Sequence, residues 1–204
     1  AVVGLGGVWL AGGWDQMVYV LGTAPFESIF PYSFSVIPLF VLMGVFAARA
    51  GLSRALFELV NGFFGHWRGG LAVSTIGACA IFGAICGSSL ATVATIGRVA
   101  MPEMRRYGYD DSLSSASVAA GGTLGVLIPP SIILVIFGLL TQTSIGKLFV
   151  AAIVPGILGT VLYAIAAMMR ARIRPDLAPR AERMAWSGRS ALFERVWPVL
   201  GLFF

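Results

Sequence analysis

Residues 121–130 read Gly121-Gly122-Thr123-Leu124-Gly125-Val126-Leu127-Ile128-Pro129-Pro130, with three glycines and two consecutive prolines inside an apolar segment of membrane length. Pro129 and Pro130 lack a backbone N–H, so the carbonyls that would pair with them in a helix stay free. In hydrocarbon a free carbonyl is costly unless protein, water or an ion satisfies it. The stretch therefore predicts a broken membrane helix, which is a candidate ion or substrate site and favours transport. The alternative is a proline kink with a structural role only.

The composition is that of a polytopic, all-α membrane protein. The chain is 58% hydrophobic and 11% charged, with a mean hydropathy of +0.89. Soluble domains usually have about 25% charged residues. The net charge of +5 could indicate nucleic-acid binding, but the basic residues lie in loops between apolar runs. That distribution follows the positive-inside rule, so we expect the lipid bilayer rather than nucleic acid as the partner.

Apolar runs and polar interruptions predict the organisation of the chain. The expected order is the end of a membrane helix plus a short loop (1–23), a span (31–48), an interfacial helix (52–64), a re-entrant hairpin (69–101), a polar loop (102–111), the broken helix (112–140), a short loop (141–147) and a span (148–169). The segment 52–64 has apolar residues at helical spacing and is too short to cross, although it could also be the frayed end of the preceding span. The hairpin is favoured over two crossings because each arm is short of the about 20 residues that a crossing needs.

The arginines predict the orientation. With the Arg170–Arg195 loop in the cytoplasm, every other arginine-bearing loop falls on the same side. This agreement supports the number of spans. It does not distinguish a hairpin from two crossings, because both return the chain to the same side.

The predicted hairpin tip is small and hydroxylated around Gly87-Ser88-Ser89 and Thr92. Hydroxyl oxygens can bind a cation or hydrogen-bond to a carboxylate. A helix that begins at Ser88 or Ser89 would direct its N-terminal N–H groups at an anion. The alternative is close helix packing, with the serines bonded to their own backbone.

Other reactive residues give little sign of metal or catalytic chemistry. Cys79 and Cys86 lie seven apart in an apolar segment without a metal-binding pattern, and His66 lies at the expected interface without a nucleophile or carboxylate partner. No ionisable residue is secure at membrane depth in the hairpin or the broken helix; Arg98 lies closest and could snorkel to the cytoplasmic face. Proton relays normally use buried Asp, Glu or His. We therefore expect no enzyme, and a cation site built from neutral oxygens.

The ordered motifs resemble the large membrane subunit of tripartite ATP-independent periplasmic (TRAP) transporters over residues 28–170. The motifs that carry the resemblance are Ile37-Pro38-Leu39-Phe40-Val41-Leu42-Met43-Gly44, Gly87-Ser88-Ser89-Leu90-Ala91-Thr92, Gly122–Ile132, Thr143–Phe149 and Val154–Leu158. Each motif alone is weak, and their order makes the resemblance specific.

The resemblance implies a secondary transporter of the bacterial inner membrane, a Na⁺ symporter that imports organic acids, often carboxylates. It also implies two partners, a periplasmic substrate-binding protein and a small four-helix membrane subunit. The family fold has two inverted repeats, each with a hairpin and a broken helix, and works as an elevator. This chain would hold the first repeat, with scaffold helices and an interfacial arm helix (1–66), half of the transport domain (67–169), and a cytoplasmic loop with the start of the second repeat (170–204).

The resemblance also implies site residues. One Na⁺ site maps to the hairpin tip and the broken helix, at Gly87, Ser88, Ser89, Gly122, Thr123, Gly125, Ile128 and Pro130. We expect the substrate near the tip, at hydroxyls of Ser88, Ser89, Thr92 and Thr123. Cys86 stands where the family often has serine. A carbonyl ligand would survive that change and a hydroxyl ligand would not.

Three other functions stay open at this point. A related inverted-repeat carboxylate or ion antiporter would work without a binding protein. A membrane-embedded enzyme is disfavoured by the missing catalytic constellation, and a purely structural assembly subunit would not depend on Ser88 or Pro130. The chain begins with Ala1 and ends at Phe204 inside an apolar run, so we expect a longer protein.

Overall fold

The computed structural model describes residues 2–29 and 36–179, and this part of the chain is helical without strands. It contains eight α-helices: α1 (Val2–Ile29), α2 (Val36–Arg49), α3 (Leu52–Phe64), α4 (Gly70–Cys86), α5 (Ser89–Arg106), α6 (Asp111–Leu127), α7 (Ile132–Leu140) and α8 (Ile145–Ile173). The predicted all-α class is confirmed. The predictions for residues 30–35 and 180–204, which include most of the arginine-rich loop, fall outside the described residues.

The chain divides into two compact units, Ala1–Pro38 and Leu39–Phe204. In the first unit α1 continues to Ile29, so the short loop expected before residue 23 is wrong. The helix is interrupted instead at Gly13, whose φ of 78° lies in the left-handed region that glycine adopts without strain. The expected boundary at residue 66 separates a fixed scaffold from a moving transport domain. It stays a prediction.

Helices α2 and α3 meet at a bend of 66° around Gly51, which has a φ of 76°. The bounds of α3 match the predicted segment, and α3 is a helix of its own rather than the end of α2. Its apolar face is buried in the second unit through Leu52, Leu56, Phe57, Leu59 and Val60. Its position at a membrane interface stays a prediction.

Helices α4 and α5 form the predicted hairpin. They run antiparallel, because the end of α4 contacts the start of α5 and the start of α4 contacts the end of α5. Cys86 contacts Thr92 beside the turn, and the Thr75 hydroxyl lies 3.5 Å from the Met104 sulfur at the open end. The expected end at residue 101 is wrong, because α5 continues through Pro102 to Arg106. The arms have 17 and 18 residues, which is short of the about 20 residues of a membrane crossing.

Helices α6 and α7 form the broken helix, and α8 returns beside them. Two described stretches are long and apolar enough to cross a membrane, Asp111–Leu140 and Ile145–Ile173, and the bent pair of α2 and α3 allows up to three. The loop expected at 141–147 is shorter, because α8 already begins at Ile145, and α8 extends past the expected end at residue 169 to Ile173.

The open end of the hairpin is tied to the loop after α5 and to the chain after α8. Leu71 N–H donates to the Tyr109 hydroxyl at 3.4 Å, and Asp110 N–H donates to the Leu177 carbonyl at 3.1 Å. Ala171 and Ala178 are almost fully buried there. Hairpin, broken helix and α8 are thereby joined at this end.

Candidate functional site

The hairpin turn consists of Gly87 and Ser88. Gly87 has a φ of 61° and its N–H donates to the Gly83 carbonyl at 2.8 Å, which is the usual glycine end of a helix. Ser88 is extended, and its hydroxyl oxygen accepts from Ala91 N–H at 3.4 Å as the N-cap of α5. The predicted position of the tip is confirmed by this geometry.

The break between α6 and α7 is shorter than the glycine- and proline-containing stretch 121–130 that predicted it. Residues 121–127 are helical, and only Ile128–Ser131 leave the helix, so the break contains the two prolines and not the three glycines. Pro129 and Pro130 cannot donate to the carbonyls of Gly125 and Val126 four residues earlier. Ser131 then restarts the chain as the N-cap of α7, and its hydroxyl oxygen accepts from Leu134 N–H at 3.4 Å.

The tip and the break lie against each other. Ile132 N–H donates to the Gly87 carbonyl at 3.4 Å. A Cβ added at Gly87 would lie 2.8 Å from the Pro130 carbonyl oxygen, so only glycine permits this approach. The starts of α5 and α7, each capped by a serine, are therefore neighbours.

The glycines of α6 form the surface on which the hairpin packs. A Cβ added at Gly83 would lie 2.5 Å from the Gly125 Cα, and one added at Gly125 would lie 2.8 Å from the Thr92 hydroxyl oxygen. A Cβ at Gly122 would clash with the side chain of Val93. These positions are glycine because two helix backbones come close together, not because the helix unwinds.

Cys86 and Thr92 face the inside of the turn. The Thr92 hydroxyl donates to the Ser88 carbonyl at 2.8 Å and lies 3.2 Å from the Cys86 sulfur, which is 3.5 Å from the same carbonyl. Thr92 is fully buried. Its hydroxyl proton is therefore used within the hairpin, and the hydroxyl oxygen lies against Gly125 of α6.

The remaining predicted hydroxyls lie in two places. Ser88 and Ser89 are partly exposed at the start of α5. The Thr123 hydroxyl donates to the Ala120 carbonyl at 2.7 Å and lies 3.4 Å from the Tyr163 hydroxyl on α8. The structure thus brings together the tip, Gly125 and Pro130, while the Thr123 side chain is turned towards α8.

Ser131 is a residue that the sequence motifs do not single out. It is fully buried between the two halves of the broken helix and caps α7. A serine directly before an apolar run is the usual signal for a helix start, and here it follows the two prolines. That signal could have identified Ser131 as the N-cap of α7 from the sequence.

An apolar cavity of about 710 Å³ lies between α2, α4, the break and α8. Phe40, Ile81 and Pro129 are among the residues that line it, and Thr160 is the polar one. The Thr160 hydroxyl already donates to the Gly156 carbonyl at 2.8 Å. The lining therefore offers no charged group to an organic acid.

Acidic, histidine and cysteine side chains do not cluster into a metal site within residues 2–29 and 36–179. A cation at the tip would have to be held by hydroxyl and carbonyl oxygens, which are the ligands that hard cations prefer. The carbonyls freed by Pro129 and Pro130 supply such oxygens.

Comparison with known proteins decides the family. Residues 3–204 match the family model described as "Tripartite ATP-independent periplasmic transporter, DctM component". The chain belongs to the DctM family. The resemblance seen in the sequence motifs is thereby confirmed.

Several curated relatives of the DctM family are similar to this chain. The C4-dicarboxylate TRAP transporter large permease protein DctM of Pseudomonas aeruginosa is 42% identical over 171 residues, which cover 82% of this chain and 40% of the relative. The ectoine TRAP transporter large permease protein TeaC of Halomonas elongata is 37% identical, with 96% and 45% covered. The isethionate TRAP transporter permease protein DctMQ of Oleidesulfovibrio alaskensis is 48% identical, with 65% and 21% covered.

The chain spans less than half the length of these relatives. The three are named as transporter permeases and not as enzymes, in agreement with the expectation that this chain is not an enzyme.

Proposed function

We propose that this chain is part of the permease subunit of a Na⁺-coupled secondary transporter that imports organic acids delivered by a periplasmic binding protein. The observation that carries the proposal is the contact of the hairpin tip with the helix break, in which Ile132 N–H meets the Gly87 carbonyl. Interrupted helices at membrane depth are where transporters bind ions and substrates. Membership of the DctM family supports transport rather than a structural role.

Na⁺ would bind between the tip and the break. The proposed ligands come from Gly87, Ser88, Ser89, Gly122, Thr123, Gly125, Ile128 and Pro130. Two of them are refined by their contacts. The Thr123 hydroxyl lies beside Tyr163, so Thr123 would contribute the second lone pair of its helical carbonyl. The Ser88 carbonyl already accepts from two Thr92 donors, so Ser88 would contribute its hydroxyl.

The substrate would bind at the start of α5. Ser88 and Ser89 offer hydroxyls there, and the N–H groups of the first turn favour a negative charge. Thr92 would support the turn rather than touch the substrate, because its hydroxyl is bonded to the Ser88 carbonyl. The relatives named for C4-dicarboxylate and isethionate carry organic acids, and this is why we propose that class.

Transport would occur by an elevator movement of the hairpin, the broken helix and α8 against the first part of the chain. The close packing of α4 on α6 through Gly83 and Gly125 supports movement of these helices as one body. The bend at Gly51 would let α3 act as the arm between the two parts. The permease would lie in the bacterial inner membrane, with the Arg170–Arg195 loop in the cytoplasm and with a small four-helix membrane subunit beside it.

The test is uptake of organic acids, starting with a C4-dicarboxylate, by the complete transporter in liposomes with its binding protein. We expect uptake to require an inward Na⁺ gradient. Ser88→Ala and Pro130→Ala should lower uptake, whereas Ser115→Ala, on the distant part of α6, should not. Uptake that follows a proton gradient would refute Na⁺ coupling, and uptake without the binding protein would favour an antiporter.

A further inference from the structure

We infer that Cys86 is a positioning residue for the cation site, holding the Ser88 carbonyl and the Thr92 hydroxyl inside the hairpin turn. This inference rests on the proposed Na⁺-coupled function. Cys86 is the last residue of α4 and only 1% exposed. Its sulfur lies 3.5 Å from the Ser88 carbonyl oxygen and 3.2 Å from the Thr92 hydroxyl oxygen, so one thiol reaches two polar groups across the turn.

The donors in this cluster follow from a count of its available protons. The Ser88 carbonyl accepts from Thr92 N–H at 3.0 Å and from the Thr92 hydroxyl at 2.8 Å. The single hydroxyl proton of Thr92 is used in that bond. The Cys86 thiol is then left as donor, either to the Ser88 carbonyl or to the Thr92 oxygen, and either bond ties the end of α4 to the first turn of α5.

Together these contacts hold the direction of the Ser88–Ser89 peptide. With its carbonyl held inside the hairpin, the N–H of that peptide points the opposite way, out of the start of α5, because the peptide is planar and trans. The Ser88 carbonyl is already shared by donors and is withdrawn from cation binding. Ser88 can therefore present its hydroxyl, beside the Gly87 carbonyl, to an ion at the break.

Helix α2 packs closely on Cys86 at Gly44. A Cβ added at Gly44 would lie 2.7 Å from the Cys86 Cβ and 3.3 Å from its Cα. With backbone packed this closely, the side chain has little room for another rotamer. A small donor fits the position, and serine is the conservative replacement.

The test compares Cys86→Ala, Cys86→Ser and Cys79→Ala in the complete permease. Cys79 is the matched control, because it lies two turns earlier on the same helix, is equally buried, and packs against Gly121 of α6, where an added Cβ would lie 3.0 Å from its sulfur. Na⁺ is titrated against K⁺ at constant ionic strength, and the apparent Na⁺ affinity is taken from the rise in the unfolding midpoint. Loss of one hydrogen bond should weaken Na⁺ binding in Cys86→Ala about two- to tenfold. Cys86→Ser and Cys79→Ala should stay close to the wild type.

A Cys86→Ala variant with unchanged Na⁺ affinity, or one matched by Cys79→Ala, would overturn the inference. If the wild type shows no Na⁺ effect, the proposed coupling fails, and hydrogen exchange then tests Cys86 by itself. Exchange at the Thr92 amide should be faster in Cys86→Ala than in Cys86→Ser or Cys79→Ala. Equal exchange in all three would contradict the positioning role.

Discussion

The backbone N–H of Ile132 donates a hydrogen bond to the carbonyl of Gly87, with 3.4 Å between nitrogen and oxygen. Ile132 is the first residue of α7, and its N–H has no partner within that helix. The tip of one helix pair thus supplies an acceptor that the broken helix lacks. We expect a substitution at either residue to disturb both the hairpin tip and the start of α7.

Replacing Gly87 by alanine should damage the site. Its φ of 61° costs a residue with a side chain about 1–2 kcal/mol. The new methyl would also lie 2.8 Å from the Pro130 carbonyl oxygen. We expect a lower unfolding midpoint and weaker uptake, measured by thermal unfolding in detergent and by transport in liposomes.

Gly146→Ala is the control for that variant. Gly146 lies in the first turn of α8, and an added Cβ would have Ser144 Oγ as its nearest neighbour at 3.9 Å. Alanine at an unhindered helical position stabilises by about 0.5–1 kcal/mol. A Gly87→Ala protein as stable and active as Gly146→Ala would show that the close approach of tip and break is not needed.

Gly83→Ala should separate the hairpin from α6. The added Cβ would lie 2.5 Å from the Gly125 Cα, and backbone cannot move aside as a flexible side chain does. Overpacking of this kind costs about 1–3 kcal/mol. The measurement is the unfolding midpoint, with Gly159→Ala as control because its Cβ would make ordinary contacts at 3.4 Å with two leucine side chains. Equal midpoints for the two variants would contradict the packing argument.

Tyr109→Phe should loosen the open end of the hairpin. The buried Tyr109 hydroxyl is the acceptor for Leu71 N–H, and phenylalanine leaves that donor unpaired at a cost of about 1 kcal/mol. Burial raises the pKa of Tyr109 above its ordinary value of 10.0. The unfolded chain therefore ionises first, and stability should fall as the pH rises above that value.

The alkaline loss of stability should be smaller in Tyr109→Phe than in the wild type, as measured by unfolding midpoints between neutral and alkaline pH. Tyr107→Phe is the control, since Tyr107 is exposed. Identical alkaline profiles for the wild type and Tyr109→Phe would assign the effect to other groups.

Acid should weaken the start of α6. Arg105 Nε and the guanidinium nitrogen Nη2 donate to the Asp111 carboxylate at 2.7 and 3.1 Å, and these bonds hold the pKa of Asp111 below its ordinary value of 3.8. A lowered pKa stabilises the fold above the ordinary value, and the contribution is lost as the pH falls through the folded-state pKa. The gap in unfolding midpoint between the wild type and Arg105→Gln should be constant above about pH 5 and close below it. Because both side chains are exposed, the gap should be small and should shrink with salt.

Local signals in the sequence predicted several elements at their observed places. The bounds of α3 follow from apolar residues at helical spacing between Gly51 and Gly65. The turn at Gly87 and Ser88 follows from a glycine that can end a helix and a serine that can begin one. These features depend on residues within a few positions of each other.

The elements that differ depend on partners far along the chain. Gly122 and Gly125 look like breakers, yet they are helical because Val93 and Gly83 of the hairpin lie against them. Glycine can break a helix or let another backbone pack closely on it, and only the packing partner shows which of the two applies. The link of Cys86 to Thr92 likewise depends on how the turn places two helices.

The hydrogen bond from Asp110 to the Leu177 carbonyl also determines where a fragment of this protein can end. A piece that stopped at Ile173, the last residue of α8, would leave the Asp110 N–H without its acceptor and would lack the buried Ala178. Residues 174–178, which follow α8, therefore belong to the folded unit. A boundary for expression, proteolysis or domain exchange should be placed after Ala178.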